Sequence, residues 1–171
     1  MERRDPDLRA DERTMLEQFL DYDRATLVWK TEDLSDEQLR QTTGASSLTL
    51  AGLLKHLALV EDHWFRVILL GLEPAELWRD IDWAADPDWE FRTALDEPRN
   101  ELVALYEATT AASRAAVASV ASLDTLSVRT GRRTPEHFTL RWILLHMIEE
   151  TARHNGHADF LREAIDGSTG E

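Results

Sequence analysis

The apolar residues of this chain recur at helical spacing in four long runs, with no convincing strand pattern between them. Over residues 11 to about 30, Met15, Phe19, Tyr22, Leu27 and Trp29 form a loose helical stripe. In "LSDEQLRQ", Gln38 follows Ser35 by three residues, a capping-box pattern that predicts a single turn of helix inside the first connection. "SSLTLAGLLKHLALVEDHWFRVILLG" offers Ser47 and Thr49 as caps, an apolar-rich stretch over residues 50–70 and a terminating Gly71. It predicts the second long helix. Asp96 stands where it would cap a third helix, with Pro98 tolerated in the first turn, running to about residue 123. Thr139 would cap a fourth, which reaches about Asp166 before Gly167 ends it. With no internal repeat, the expected fold class is all-α: a four-helix bundle with long connections.

The connection "LEPAELWRDIDWAADPDWEFRTALD", residues 72–96, is too long for a tight turn and contains Pro74, Pro87 and three tryptophans. It is expected to wrap over the bundle, with Trp78, Trp83 and Trp89 bordering a site as a cover, because large aromatics exclude water. The alternative is that these tryptophans seal the apolar end of the bundle.

Helical phase singles out a polar cluster in the fourth helix, "HMIEETARHNGHAD". At about 100° per residue, Ile143, Met147, Glu150, His154, Ala158 and Leu161 share one stripe, whereas Glu149 lies well off its centre. A carboxylate on a core stripe is costly to desolvate unless a cation or donors meet it, and residues at i and i+4 stack one turn apart. Glu150 and His154 can thus serve one metal ion, and His56, at the edge of the Leu53, Leu57, Val60 and Trp64 stripe of the second helix, is the best-placed third ligand. His63 stands two turns further, about 10 Å away by helix rise, too far to share that ion. Periodicity leaves two readings open: a metal site, or a buried Glu–His hydrogen-bond network.

Composition narrows the chemistry. The 171 residues, 43% hydrophobic, suffice for one compact domain, expected over residues 1–171. No run is long and apolar enough for a membrane span, and "MERRDPDLRADER" lacks the apolar core of a signal peptide, so a cytoplasmic location is expected. The net charge of −14 disfavours phosphate backbones and anionic lipid, excluding nucleic acid and membrane as expected partners. The basic stretch "VRTGRRT", residues 128–134, reads as a solvated loop. Arg92, Arg141 and Arg153 are candidates to meet an anionic substrate, with surface pairing as the alternative. The chain has no cysteine, so metal ligands must be His or carboxylate and any reacting thiol must come from outside.

The histidine in "LLKHLA", the long middle connection and the last-helix pattern "HMIEETARHNGH" resemble the DinB superfamily of four-helix metalloproteins over nearly the whole chain. They are especially similar to the branch related to mycothiol-dependent maleylpyruvate isomerase and mycothiol S-transferases. The resemblance implies a divalent metal on His56, Glu150 and His154, with zinc expected first and nickel, iron or manganese able to occupy the same ligands. Many members have a second His at the position of Glu150 and continue with Arg-Gly-Gln where this chain has "NGH". The Glu is the choice of the isomerase branch. The expected activity is activation of a mycothiol-like thiol for S-transfer to a small electrophile, since two imidazoles and one carboxylate leave an ion positive and open. The alternatives are a metal-dependent hydrolase, with His157 or His63 as catalytic base, and a non-catalytic binding or stress-response module. A homodimer is a further expectation.

Overall fold

A computed structural model describes residues 1–131 and 134–170. Helix α1 spans Glu12–Trp29, opened by Asp11, whose side chain accepts from the Thr14 amide at 3.1 Å. The short α2, Asp36–Leu39, has the expected reciprocal capping box between Ser35 and Gln38. Helix α3, Leu50–Glu61, is capped by Thr49 rather than Ser47 and runs on without a break into a π-helical stretch, Asp62–Leu69. Pattern reading places one helix here but cannot distinguish the wider π turn, which is set by tertiary packing and is common at functional sites. Gly71, at φ 71°, ends it. A Cβ there would lie 2.4 Å from Val128, so both the turn and the close approach require glycine.

The 72–96 connection contains two more helical turns, α4, Glu76–Arg79, and α5, Trp89–Thr93, followed by a 3-10 turn, Ala94–Asp96. Asp96 therefore does not cap the third long helix. Pro98, extended at φ −75° and ψ 153°, stands in the N-cap position, and α6 spans Arg99–Ala118, shorter than expected at both ends. The final helix α7, Leu140–Asp166, is capped by Thr139, whose side chain accepts from the Trp142 amide, and closed by Gly167 at φ 78°.

The expectation of no strands is corrected: Leu126–Thr130 (β1) pairs antiparallel with His137–Thr139 (β2). The hairpin is short and inverts the usual alternation, exposing Leu126 and Val128 and burying Ser127, and Arg129 of β1 ties it to the end of the π-helical stretch by donating to the Gly71 carbonyl at 3.0 Å and to Glu73 at 2.6 Å. Of the basic stretch 128–134, residues 132 and 133 lie outside the described residues.

The long helices pack α1 on α7 and α3 on α6, with α3 also against α7 and α5. The mostly helical result bears out the all-α expectation. Among the described residues, no helix is long and apolar enough to cross a membrane. One apolar cluster centres on Leu27, Leu53, Leu57, Tyr106 and Leu161, and a second on Leu20, Phe65, Ile143 and Met147. Arg24 of α1 and Glu61 of α3 form a buried two-pronged pair, Nε–Oε1 2.7 Å and Nη2–Oε2 2.6 Å, with Arg24 Nη1 on Asp21 at 2.8 Å. Removing one partner strands a buried charge. Glu61→Ala is therefore expected to lose about 3–5 kcal/mol in urea unfolding. The apolar pair Arg24→Met/Glu61→Leu should lose less than the single change, and a larger loss in the pair would contradict this account.

Candidate metal centre

His56 lies one turn beyond Gly52 on α3, and Gly52 determines what approaches it. A Cβ at Gly52 would stand 2.9 Å from the Phe91 ring and 3.1 Å from Thr49 Oγ1, so glycine lets α5 close onto α3. Phe91 then stacks on the His56 imidazole, ring centroids 4.8 Å apart and planes 21° from parallel. Its neighbour Glu90 is buried and places Oε1 3.0 Å from His56 Nδ1.

From the opposite side, α7 presents Glu150 and His154 one turn apart, as the helical phase requires. Glu150 Oε1 stands 3.7 Å from His56 Nε2 and 3.3 Å from His154 Nε2. One donor atom each from His56, Glu150 and His154 lies within 4.8 Å of the others. On a tetrahedral ion with bonds of about 2.1 Å, donor atoms are about 3.4 Å apart, so this set needs only small side-chain movement to hold one. The other imidazole nitrogens are engaged outside the cluster. His56 Nδ1 meets Glu90, and His154 Nδ1 lies 3.3 Å from His157 Nδ1. Such outer partners fix ring orientation, so that each Nε2 faces Glu150 and, once its proton is displaced, can offer its lone pair to an ion. Glu90 Oε2 is buried without a hydrogen-bond partner, and of the two carboxylates that gather at His56 only Glu150 meets a guanidinium, that of Arg153 at 3.1 Å. A divalent cation fits that imbalance.

The electrostatics agree. Burial disfavours the His56 cation, but hydrogen bonds to Glu150 and Glu90 outweigh it and raise the His56 pKa above the usual imidazole value. Hydrogen bonds from His154 and His56 hold the Glu150 carboxyl well below the ordinary range against its partial burial. Burial, then the neighbouring His154 and Arg153 charges, lower the His157 pKa.

The remaining candidates fall elsewhere. His63 sits edge-on to Trp64, centroids 5.6 Å apart, and is not in the converging group. Trp78 is buried in the apolar cluster, with Trp89 edge-on to it at 6.1 Å. The middle connection does border the cluster, but through Glu90 and Phe91. Sequence reasoning missed both, since one glutamate in so acidic a segment gives no signal. The i−4 glycine before His56 is the only hint. Arg92 pairs with Asp86, Arg141 with Glu12 and Asp124, and Arg153 with Glu149 and Glu150. All three are thus engaged by carboxylates.

Gly52→Ala sets two effects against each other. Alanine favours a helix by about 1 kcal/mol over glycine, but overpacking at a closed contact costs about 1–3 kcal/mol. The steric term is expected to win. The variant should unfold at lower urea and lose the ring-current shift of Phe91 on His56 in proton spectra. A stabilised variant with that shift intact would refute the close-approach role.

Comparisons with known proteins agree with this architecture. No curated protein sequence matches the chain. A solved structure described as the conserved protein of locus from Enterococcus faecalis superposes with a TM-score of 0.65 at 14% identity, over 94% of this chain and 100% of that one. At such identity the likeness concerns the fold. A family model described as Mycothiol-S-transferase matches residues 15–167, from the first turn of α1 to the Gly167 cap and including every residue of the converging cluster. The chain belongs to this mycothiol-S-transferase family, a DinB-like family.

Proposed function

We propose that the protein is a metal-dependent transferase that activates mycothiol, or a similar low-molecular-weight thiol, for attack on a small electrophile. The observation that supports it most is the convergence of His56, Glu150 and His154 in a chain without cysteine whose family is named for a thiol transfer. These three residues would hold the ion, with zinc the first choice for two imidazoles and a carboxylate and nickel, iron or manganese able to take the same set. When bound, the divalent ion supplies Lewis-acid chemistry that favours the deprotonated thiol at neutral pH.

The chain's own residues do the rest. Glu90 accepts the Nδ1 proton of His56 and keeps its Nε2 directed at Glu150. His157, held neutral by its lowered pKa, accepts the Nδ1 proton of His154 in the same way. This gives His157 a positioning role at His154. Phe91 covers one face of the His56 ring and keeps water from it. In the transfer, a sulfur–carbon bond forms, the electrophile's leaving group departs with its electron pair, and the thiol proton passes to solvent.

Protein purified without added metal should contain about one equivalent of a divalent metal and conjugate electrophiles only when mycothiol is present. His154→Ala should lose the metal and transfer activity while circular dichroism stays helical, because the apolar stripes bury most of the core. Glu90→Ala should weaken metal binding by about 10–100-fold, with Glu90→Gln between it and the wild type. Full transfer by metal-free His154→Ala, or hydrolysis that needs no thiol, would overturn the reading.

The raised His56 pKa also sets a pH dependence. A folded-state value above the unfolded value of 6.5 gives the metal-free protein stability that is complete below pH 6.5 and lost as pH rises through the folded value. The depressed Glu150 value acts at the acid end, giving stability present above 4.5 and lost as pH falls toward the folded value. Metal binding displaces the His56 proton, so affinity should rise with pH while the melting temperature of the metal-free protein falls on the alkaline side. A metal-free melting temperature that climbs across that range would contradict the assigned His56 contacts.

A further inference from the structure

A cavity of about 430 Å³ opens beside the cluster, between Val60, His63 and Trp64 of the α3 helix and its π-helical extension and Trp83, Pro87 and Glu90 of the middle connection. Its position follows from how α3 meets α7. His56 lies against His154, centroids 5.0 Å apart, and Trp64 lies against His146, centroids 4.6 Å apart. The two helices therefore run antiparallel here, and Val60 falls level with Glu150. On α3 and its π-helical extension the cavity runs from Leu59, about 4.5 Å of helix rise beyond His56, to Trp64. Glu90 joins the two, lining the cavity while its Oε1 meets His56 Nδ1 at 3.0 Å.

We propose that this cavity is the electrophile's binding site and that it takes an uncharged aromatic electrophile; the assignment rests on the thiol-transfer reading above. Three observations support it. The size lies within the range of small-molecule sites, about 300–1,000 Å³. Trp64 and Trp83 line it from two walls, and aromatic linings suit a planar ring. Among the described residues, no lysine or arginine lines the cavity, whereas the Glu90 carboxylate does, in a chain of net charge −14. An anionic electrophile is repelled there, and the polyhydroxylated body of a sugar-linked thiol finds few hydrogen-bond partners. The cavity is thus matched to the acceptor rather than to the thiol. With an aryl halide, the sulfur–carbon bond forms at the ring carbon, the carbon–halogen bond breaks with the halide keeping its electron pair, and the thiol proton goes to solvent.

The test needs no turnover. Thiol-free protein as purified is titrated with p-nitroanisole and with p-nitrobenzoate, two inert rings that differ in charge, following the indole N–H signals by NMR. p-Nitroanisole should shift the Trp64 and Trp83 signals and bind about tenfold or more tightly than the carboxylate. Trp83→Ala should weaken it about fivefold, and Val60→Phe, which fills the cavity from the opposite wall, should do the same. Equal affinity for the two rings, shifts confined to other tryptophans, or unchanged binding in both variants would overturn the assignment. The two readings fail separately. Binding as described with no mycothiol conjugation of 1-chloro-2,4-dinitrobenzene would overturn the transfer reading alone. Conjugation with an unchanged KM in both variants would overturn the cavity assignment alone.

Discussion

Glu150 reaches between two imidazoles, 3.7 Å from His56 Nε2 and 3.3 Å from His154 Nε2, in the contact between α3 and α7. A partly buried carboxylate in that position is unfavourable unless positive charge or donors meet it, and the two rings can do so only if their Nε2 atoms face inward. That requirement propagates outward. Each Nδ1 must find its own partner, and the chain provides an anionic one at Glu90 and a neutral one at His157. The first comes from the middle connection and the second from the next turn of α7, so the cluster ties the connection to the bundle.

The buried Arg24–Glu61 pair shows the contrast. Its two charges satisfy each other through two hydrogen bonds, and nothing about it calls for a further ion. The cluster at His56 has two carboxylates, neutral-capable rings and a buried carboxylate oxygen without a partner. The two polar groups thus differ in chemical meaning. Closed pairing stabilises the fold, and incomplete pairing invites a cation.

Much of this was legible in the sequence because helical phase is a strong constraint. Glu150 and His154 point inward since Ile143, Met147, Ala158 and Leu161 must, and the caps at Ser35, Thr49, Thr139 and Gly167 mark helix ends through local hydrogen bonds or backbone angles. What was not legible depends on contacts distant in sequence. Glu90 acquires its meaning only because Gly52 admits Phe91, 39 positions away, and no local pattern links the two. The third helix begins late because Pro98 adopts an extended backbone after a 3-10 turn, which the acid-then-proline pattern does not distinguish from a cap. The hairpin at Leu126–Thr130 escaped notice because it is short and its alternation is inverted, with Leu126 and Val128 exposed and Ser127 buried.

The central claim is that an external thiol meets a metal held by His56, Glu150 and His154. X-ray absorption at the metal edge tests it most directly, because the chain has no cysteine to supply a thiolate. Protein as purified should show only nitrogen and oxygen neighbours. Saturating mycothiol should add one sulfur at about 2.3 Å if the metal is zinc. A nitrogen and oxygen environment unchanged by mycothiol would contradict the account.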